Sequence, residues 1–244
     1  MDLIIDLGNT NKKLALFQNG ELIDLRQFPV LTLKAIRDFM QHHPDIENAI
    51  LSSVIIHPAS LTRFLSASCN FLELDEKTPL PIKNLYHTPL TLGKDRLAAA
   101  VAGSNMFPDK NVLVINTGTC ITYDFVNENN EYLGGSISPG ILMRFKALNT
   151  FTGKLPLVSF DDQLILTGTN TSESILSGVL TGTVAEIEGI TSRYQQKYPD
   201  LKILLSGGDQ KYFDKRLKIS IFALPNIVIY GLQQILAFNV NPSH

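Results

Sequence analysis

The sequence lacks the features that would place it in several common classes of protein. It has only two cysteines, Cys69 and Cys120, which are far apart and have no cluster of histidines beside them. This argues against a disulfide framework and against a zinc site. No stretch approaches about 18 uninterrupted apolar residues, so no membrane-spanning helix is predicted. The first residues carry no basic segment and only a short apolar run, so we expect no signal peptide and a cytoplasmic location.

An excess of charge is also missing. The chain has 21 Lys and Arg against 23 Asp and Glu, a net charge of −2, and no long run of like charges, so we expect no nucleic-acid partner. Neither G-x-x-x-x-G-K-[ST] nor a G-x-G-x-x-G that opens a helix after a strand is present. With 244 residues, of which 44% are apolar, the chain is long enough for one large or two modest domains.

What the sequence does contain is a hairpin with an unusually polar turn. Residues 3–17 predict two apolar strands, and the turn between them carries carboxylate, hydroxyl, amide and ammonium groups. Backbone N–H groups and Thr10 can donate to phosphate oxygens, Lys12 or Lys13 can supply positive charge, and Asp6 can hold Mg²⁺ through water. An ordinary surface hairpin is the alternative.

The same pattern occurs again over residues 113–125. When Gly8 is aligned with Gly118, the apolar runs coincide and Asp6 falls on Asn116. Such self-similarity usually reflects duplicated structure. We therefore predict an N-terminal domain over residues 1–110 and a C-terminal domain over residues 111–244. Two phosphate-binding hairpins, one in each domain, resemble the way in which the actin, heat-shock ATPase and sugar-kinase superfamily holds ATP.

Three further segments carry candidate chemistry. Asp95 lies in the first turn of a predicted helix, where the helix dipole favours its ionised form and where it can act as the base in phosphoryl transfer. The alternative is an aspartate that only caps the helix while Arg96 pairs on the surface. The segment 206–209 places two glycines after a predicted strand, so that a flat ring can lie against the backbone. The alternative is that this segment is an ordinary turn. A long predicted helix over residues 170–197 contains three glycines, which either permit close helix packing or simply weaken the helix. We expect close packing.

In their order along the chain, these motifs resemble the type III pantothenate kinase family nearly end to end. The first hairpin is similar to its first phosphate motif, and Ser52-Ser53-Val54 resembles a short motif at a strand end. Gly93-Lys94-Asp95-Arg96 is similar to its Gly-x-Asp-Arg signature, which is the most specific match because it lies between two matching hairpins. Thr117-Gly118-Thr119 resembles the second phosphate motif, and residues 206–209 resemble the adenosine motif.

The resemblance implies a fold, an activity and a set of site residues. The fold is α/β, with two duplicated ribonuclease H-like domains, each a mixed five-stranded sheet flanked by helices. The activity is the phosphorylation of pantothenate by ATP with Mg²⁺, in a homodimer whose interface includes the helix from Asn170, and Asp95 is the implied catalytic base. The implied ATP-binding residues are Asp6, Leu7, Gly8, Asn9, Thr10, Asn11, Lys12, Lys13, Thr119, Gly207 and Gly208. The implied pantothenate-binding residues are Tyr86, Gly93, Lys94, Asp95, Arg96 and Thr171.

One departure from the family pattern concerns a metal site. The family usually has an aspartate at the position of Asn116, where it coordinates a monovalent cation such as K⁺ or NH₄⁺. An asparagine keeps an oxygen ligand but loses the charge, so we expect weaker cation binding and a reduced requirement for potassium. Two other functions stay open on the sequence alone. They are a kinase for another small hydroxylated acceptor and a non-catalytic regulatory protein that binds nucleotide.

Overall fold

Apolar strands that alternate with helices build two α/β units in the computed structural model, which describes residues 1–163 and 165–240. The first unit joins Met1–Met106 to the C-terminal segment that begins at Ile227, and the second unit is Phe107–Asn226. None of the described helices combines the length and the apolar character that crossing a bilayer requires.

The first unit is built on a mixed sheet whose strand order is β3-β2-β1-β4-β5. Strand β1 pairs antiparallel with β2 and parallel with β4. The strands are β1 (Asp2–Leu7), β2 (Lys12–Gln18), β3 (Glu21–Phe28), β4 (Asn48–Ser53), β5 (Asn70–Glu73) and the short β6 (Lys83–Asn84). The helices are α1 (Leu33–His42), α2 (Ala59–Ser68), α3 (Lys94–Met106) and α8 (Ile227–Val240), with one 3₁₀ turn at Pro89–Thr91.

Helices cover both faces of this sheet. Leucines and isoleucines of β1, β2 and β4 form a core with apolar residues of α1 and α2, which include Phe39 and Leu65. Helix α1 begins at Thr32, whose hydroxyl accepts a hydrogen bond from the Ala35 N–H at 3.2 Å. On the other face α8 packs against β1 and β4 and against α3. Asp6 lies one residue on from the core-facing Ile5, so it points to the face that α3 and α8 cover.

The second unit repeats this arrangement. Within this unit the strand order is β11-β10-β7-β8-β9, with β7 antiparallel to β8 and parallel to β10. The strands are β7 (Val112–Thr117), β8 (Cys120–Val126), β9 (Glu131–Pro139), β10 (Lys202–Ser206) and β11 (Phe222–Ala223). The helices are α4 (Ile141–Thr150), α5 (Thr171–Leu176), α6 (Gly182–Lys197) and α7 (Gln210–Asp214), with a π turn at Ser177–Thr181 between α5 and α6.

Asp6 and Asn116 hold the same place in the registers of the two sheets, although the second hairpin turn is one residue shorter. Asp6 in β1 pairs with Lys13 in β2 and with Ser52 in β4. Asn116 in β7 occupies the same place, because it pairs with Thr122 in β8 and with Ser206 in β10. The repeat found by aligning Gly8 with Gly118 is therefore a repeat of three-dimensional structure.

The final helix does not follow the division that we expected at Lys110. The break between the units falls at Met106 and Phe107, and α8 belongs to the first unit rather than to a C-terminal domain over 111–244. Close packing of α8 on α3 is the physical reason. Gly231 lies so near Ala98 that a Cβ at this glycine would overlap the carbonyl oxygen of Ala98.

The glycines of the long helical segment behave differently from the expectation of close packing. A Cβ built on Gly178, Gly182 or Gly189 meets no atom within 4 Å among the described residues of the chain. That expectation is therefore wrong within one copy of the chain. The segment is helical as predicted, but its hydrogen bonding widens into the π turn, which sequence periodicity did not indicate.

Candidate functional site

Asp6 lies near the end of β1, in the middle of a polar row that crosses three strands. Lys13 is its partner in β2 and Ser52 is its partner in β4, so the three side chains share one face of the sheet. Ser52 is fully buried, and its hydroxyl has no hydrogen-bond partner among the residues that the structure describes. The row follows from the hairpin register and the parallel pairing together.

Burial dominates the electrostatics of this row. It raises the pKa of Asp6 from 3.8 to about 6, against the lowering effect of Lys13 and with a smaller raising effect from the negative charge of Asp95. Burial also lowers the pKa of Lys13, and the Asp6 carboxylate partly opposes that shift. The structure therefore brings the predicted metal-binding carboxylate, one predicted lysine and the predicted base into one electrostatic cluster.

The turn between β1 and β2 is exposed, as a ligand-binding turn must be. Asn9, Thr10 and Asn11 are exposed, whereas Leu7 is buried and Gly8 is partly buried. Lys12 folds back across the turn, and its Nζ donates to the carbonyl oxygen of Asn9 at 3.0 Å. Of the two predicted lysines, Lys13 is thus the one beside Asp6, and Lys12 closes the turn.

The predicted base lies where a helix begins. Asp95 is the second residue of α3, and the Leu97 N–H donates to the carbonyl oxygen of Gly93 at 3.1 Å in the first turn. A Cβ at Gly93 would lie 2.6 Å from Asp95 Oδ1, so the carboxylate folds over the bare backbone of that glycine. Lys94, the first residue of the helix, is partly buried.

Tyr86 and Arg96 come together beside this helix start. Arg96 is 6% exposed, and its guanidinium carbon lies 5.8 Å from the centre of the Tyr86 ring. The Tyr86 backbone N–H donates to Asn84 Oδ1 at 3.0 Å, which fixes the loop before the helix. Arg96 is therefore buried, whereas the helix-capping alternative required it to lie on the surface.

In the second unit the predicted nucleotide residues gather around Thr117. The Thr117 hydroxyl donates to the carbonyl oxygen of Ser206 at 2.7 Å, and the Asp209 N–H donates to the carbonyl oxygen of Thr117 at 3.1 Å. Gly207 has a φ of +106°, and a Cβ there would overlap the Thr117 backbone. Gly208 is exposed, with no atom of the described chain within 4 Å of a Cβ built on it. Thr119 is exposed in the β7–β8 turn.

Thr171 is the predicted substrate residue that the described contacts leave apart from the others. It is exposed and is the first residue of α5, directly after Asn170. The Asn170 side chain caps the helix by accepting from the Glu173 N–H at 3.0 Å. The position is sharply defined by the cap, but it lies in the second unit, whereas Tyr86 and Arg96 lie in the first.

The donors around Asp6 suit Mg²⁺ that arrives with a nucleotide. Mg²⁺ usually keeps several waters and binds through one or two carboxylates together with phosphate oxygens, and Asp6 and Asp95 are two such carboxylates. Among the described residues there is no group of three or more His, Cys, Asp or Glu side chains that could form an all-protein metal cage. Asn116 offers one neutral amide oxygen, in register with the side chains of Thr122 and Ser206.

Two features of the site escaped sequence reasoning. Ser52 was part of a short motif, but nothing local indicates that it lies beside Asp6, because the pairing of β1 with β4 joins distant parts of the chain. A network of Tyr123, Arg144 and Glu186 near the second turn was also missed. Only the conjunction of Arg144 with the preceding Pro139-Gly140 could have drawn attention to it.

Comparison with known proteins extends these observations over the whole chain. A family model of type III pantothenate kinase matches residues 2–193. A protein of Christiangramia forsetii and one of Phocaeicola vulgatus, both named type III pantothenate kinase, are 46% and 43% identical to this chain. Each alignment covers 98% of this chain and 99% of the relative. A protein of the same name from Cytophaga hutchinsonii is 42% identical over 98% of this chain and 100% of its own length.

Solved structures show the same fold at lower sequence identity. A protein of Campylobacter jejuni assigned to the Baf family of transcriptional activators has a TM-score of 0.61 at 22% identity and covers 99% of this chain and 100% of its own. The glucokinase of an Antarctic psychrotroph has a TM-score of 0.51 at 15% identity, with 96% of this chain and 98% of its own covered. The predicted pair of ribonuclease H-like domains is thus confirmed. Since the family model matches most of the chain and the named relatives align over nearly all of it, the chain belongs to the type III pantothenate kinase family.

Proposed function

We propose that this protein transfers the γ-phosphoryl group of ATP to pantothenate and forms 4′-phosphopantothenate, the first step of coenzyme A biosynthesis, in the cytoplasm. The observation that carries the proposal is the cluster of Asp6, Lys13 and Asp95 in a chain of this family. Phosphoryl transfer needs a metal-binding carboxylate, a positive charge for phosphate and a base for the acceptor hydroxyl, and this cluster contains all three.

ATP binding is assigned to groups in both units. In the first, the N–H groups of residues 7–11 and the Thr10 hydroxyl donate to phosphate oxygens, and Lys13 supplies positive charge. In the second, Thr119 donates to phosphate and the bare backbone of Gly207 and Gly208 accepts the adenosine. Asp6 would hold Mg²⁺ through water, and the bound ion would neutralise charge on the phosphates. The exposure of the first turn, of Thr119 and of Gly208 supports this assignment.

Asp95 acts as the base that orients the pantothenate hydroxyl and accepts its proton. An aspartate suits this task because the proton leaves late in a loose transition state, so a strong base is unnecessary. Asp95 lies in the first turn of α3, at the positive end of the helix dipole.

Pantothenate has a carboxylate, an amide and a primary hydroxyl, and the substrate residues match these groups. Arg96 can bind the carboxylate with two parallel hydrogen bonds. Tyr86 offers a ring and a hydroxyl, Lys94 a second positive charge, and Gly93 the space in which the Asp95 carboxylate lies. We assign Thr171 a hydrogen bond to the same substrate from its capped position on α5.

A homodimer completes the proposal. Exposed small residues recur along one side of the helical segment at positions 178, 182, 185 and 189, where a second helix can approach closely. We expect sedimentation velocity to show a dimer for the native protein and a shift towards monomer for Gly182→Leu. Ser192→Leu, which changes an exposed residue further along α6, is the matched control.

The test of the activity is an ADP-release assay with pantothenate and Mg·ATP on the native protein and on Asp95→Asn, with Asp38→Asn as an exposed carboxylate control. Turnover that depends on pantothenate, is lost in Asp95→Asn and is retained in Asp38→Asn supports the proposal. Turnover with another hydroxylated acceptor but not with pantothenate would favour a different small-molecule kinase. Nucleotide binding without turnover on any acceptor would favour a regulatory protein.

A further inference from the structure

The start of α4 packs against the turn between β7 and β8, which carries Thr119. The Gly140 N–H donates to the carbonyl oxygen of Thr119 at 3.1 Å. A Cβ on Gly140 would overlap the carbonyl oxygens of Gly118 and Thr119, so the turn rests directly on the backbone of Gly140. Any shift of Gly140 therefore moves the turn that carries Thr119.

Arg144, one helical turn further along, holds the segment that ends at Gly140. Its Nε donates to the carbonyl oxygen of Pro139 at 2.8 Å, and its Nη2 donates to the Ser138 hydroxyl oxygen at 2.8 Å. Its backbone N–H donates to the carbonyl oxygen of Gly140 at 3.0 Å. One arginine thus contacts three consecutive residues at the point where β9 passes into α4.

The guanidinium is itself fixed by an acidic partner on another helix. Arg144 Nη2 lies 2.5 Å from Glu186 Oε2 on α6, and the fully buried Tyr123 donates its hydroxyl to Glu186 Oε1 at 3.1 Å. The side chains of Arg144 and Glu186 are only 21% and 25% exposed, so solvent screens this pair less than a surface pair. Burial and Glu186 raise the pKa of Tyr123, which keeps its hydroxyl protonated as a donor.

We propose that Arg144 is a positioning residue for nucleotide phosphate, which sets the place of the Thr119 turn through Gly140 and is itself held by Glu186 and Tyr123. The inference rests on the proposed function, since it takes Thr119 to bind the phosphates of ATP. It assigns Arg144 no contact with nucleotide or pantothenate.

Arg216 in the same unit provides a matched comparison. It also donates to a backbone carbonyl oxygen, that of Tyr212 at 2.9 Å, and to a carboxylate oxygen of Asp162 at 2.9 Å. Its side chain is 14% exposed, so it is buried at least as deeply as Arg144. A loss of stability that follows from removing any such arginine will therefore appear in both variants, whereas a loss of nucleotide affinity is expected only for Arg144.

The experiment compares Arg144→Met, Arg216→Met and the native protein. Dissociation constants for Mg·ADP are measured by calorimetry, KM values for ATP and for pantothenate by ADP release, and Tm by calorimetry. For Arg144→Met we expect Mg·ADP binding to weaken and the KM for ATP to rise by about tenfold, with the KM for pantothenate unchanged, because a charged hydrogen-bonded anchor is lost. For Arg216→Met we expect both nucleotide values to stay within about twofold of native.

Milder variants keep the test decisive if Arg144→Met does not fold. Arg144→Lys retains one charged donor and Tyr123→Phe removes only the hydroxyl that holds Glu186, and both are expected to weaken Mg·ADP binding by about two- to fivefold. Native nucleotide affinity in these variants, or equal losses in the Arg144 and Arg216 variants, would overturn the inference. Because Mg·ADP binding needs no acceptor, it tests Arg144 even if pantothenate turnover is absent.

Discussion

The buried charge of Asp6 leads to a prediction about stability that can be made quantitative. Burial raises the pKa of this carboxyl from 3.8 to about 6 in the folded protein. A folded-state pKa above the unfolded value means that the fold prefers protonated Asp6. Asp6 therefore contributes stability in full below about pH 3.8, and this contribution is lost as the pH rises through about 6. At neutral pH the ionised group is tolerated for function at a cost in stability.

The size of the effect follows from the two pKa values. For a shift of this size, the contribution of Asp6 to the free energy of unfolding falls by about 2 kcal/mol between about pH 4.5 and about pH 7.5. Asp6→Asn has no such proton. Its stability relative to the native protein should thus be about 2 kcal/mol more favourable at the higher pH than at the lower. The attraction between Lys13 and ionised Asp6 is already contained in the folded-state pKa of about 6, so it needs no separate correction.

Urea unfolding of the two proteins at both pH values, without nucleotide or Mg²⁺, measures this difference. Asp38→Asn, which removes an exposed carboxylate from α1, controls for the loss of one negative charge. A native-minus-variant difference that is the same at both pH values would contradict this prediction, because Asp6 would then have an ordinary pKa in the folded protein. A difference of the opposite sign would mean that Lys13 outweighs burial.

Three further predictions concern single residues of the site. Ser52→Ala removes a fully buried hydroxyl that has no partner among the described residues. We expect urea unfolding to show a free energy of unfolding that is unchanged or up to about 1 kcal/mol higher, and a decrease of more than about 1 kcal/mol would mean that the hydroxyl has a partner. Gly207→Ala should lower the free energy of unfolding by at least about 1 kcal/mol because Gly207 has a positive φ. Gly208→Ala should leave the free energy of unfolding unchanged but raise the KM for ATP. An unchanged KM for ATP would mean that Gly208 is not part of the adenosine site. Turnover of the native protein should respond little to K⁺, and Asn116→Asp should introduce a K⁺ response; a strong response of the native protein would contradict the role given to Asn116.

Much of the fold could be predicted because its signals are local. The hairpins over 3–17 and 113–125 are predicted by the alternation of apolar residues and by the residues of their turns, and both signals act between neighbours in the chain. The cap at Thr32 and the start of α3 near Gly93 are equally local. These signals sufficed to detect the duplication and, with the order of the motifs, to indicate the family.

The assignments that depended on distant pairing were less complete. The placement of α8 in the first unit could not be predicted from its own residues, because the need for glycine at position 231 arises only from its packing against Ala98. The expectation that the helical glycines pack closely within one chain was wrong for the same reason, since glycine spacing does not say which surface approaches it. The π turn at Ser177–Thr181 likewise depends on packing that a sequence period does not encode.

The residues alone show which chemical groups this protein carries and in what order: a carboxylate before a polar turn, a second such turn, and an aspartate at a helix start. Which of those groups meet depends on strand pairing and helix packing. The parallel pairing of β1 with β4 puts Ser52 beside Asp6, and the packing of α4 against the second turn links Arg144 to Thr119 through Gly140. The physical reason is that turn and strand preferences act over a few residues, whereas strand register and helix packing are fixed by burial across the whole unit.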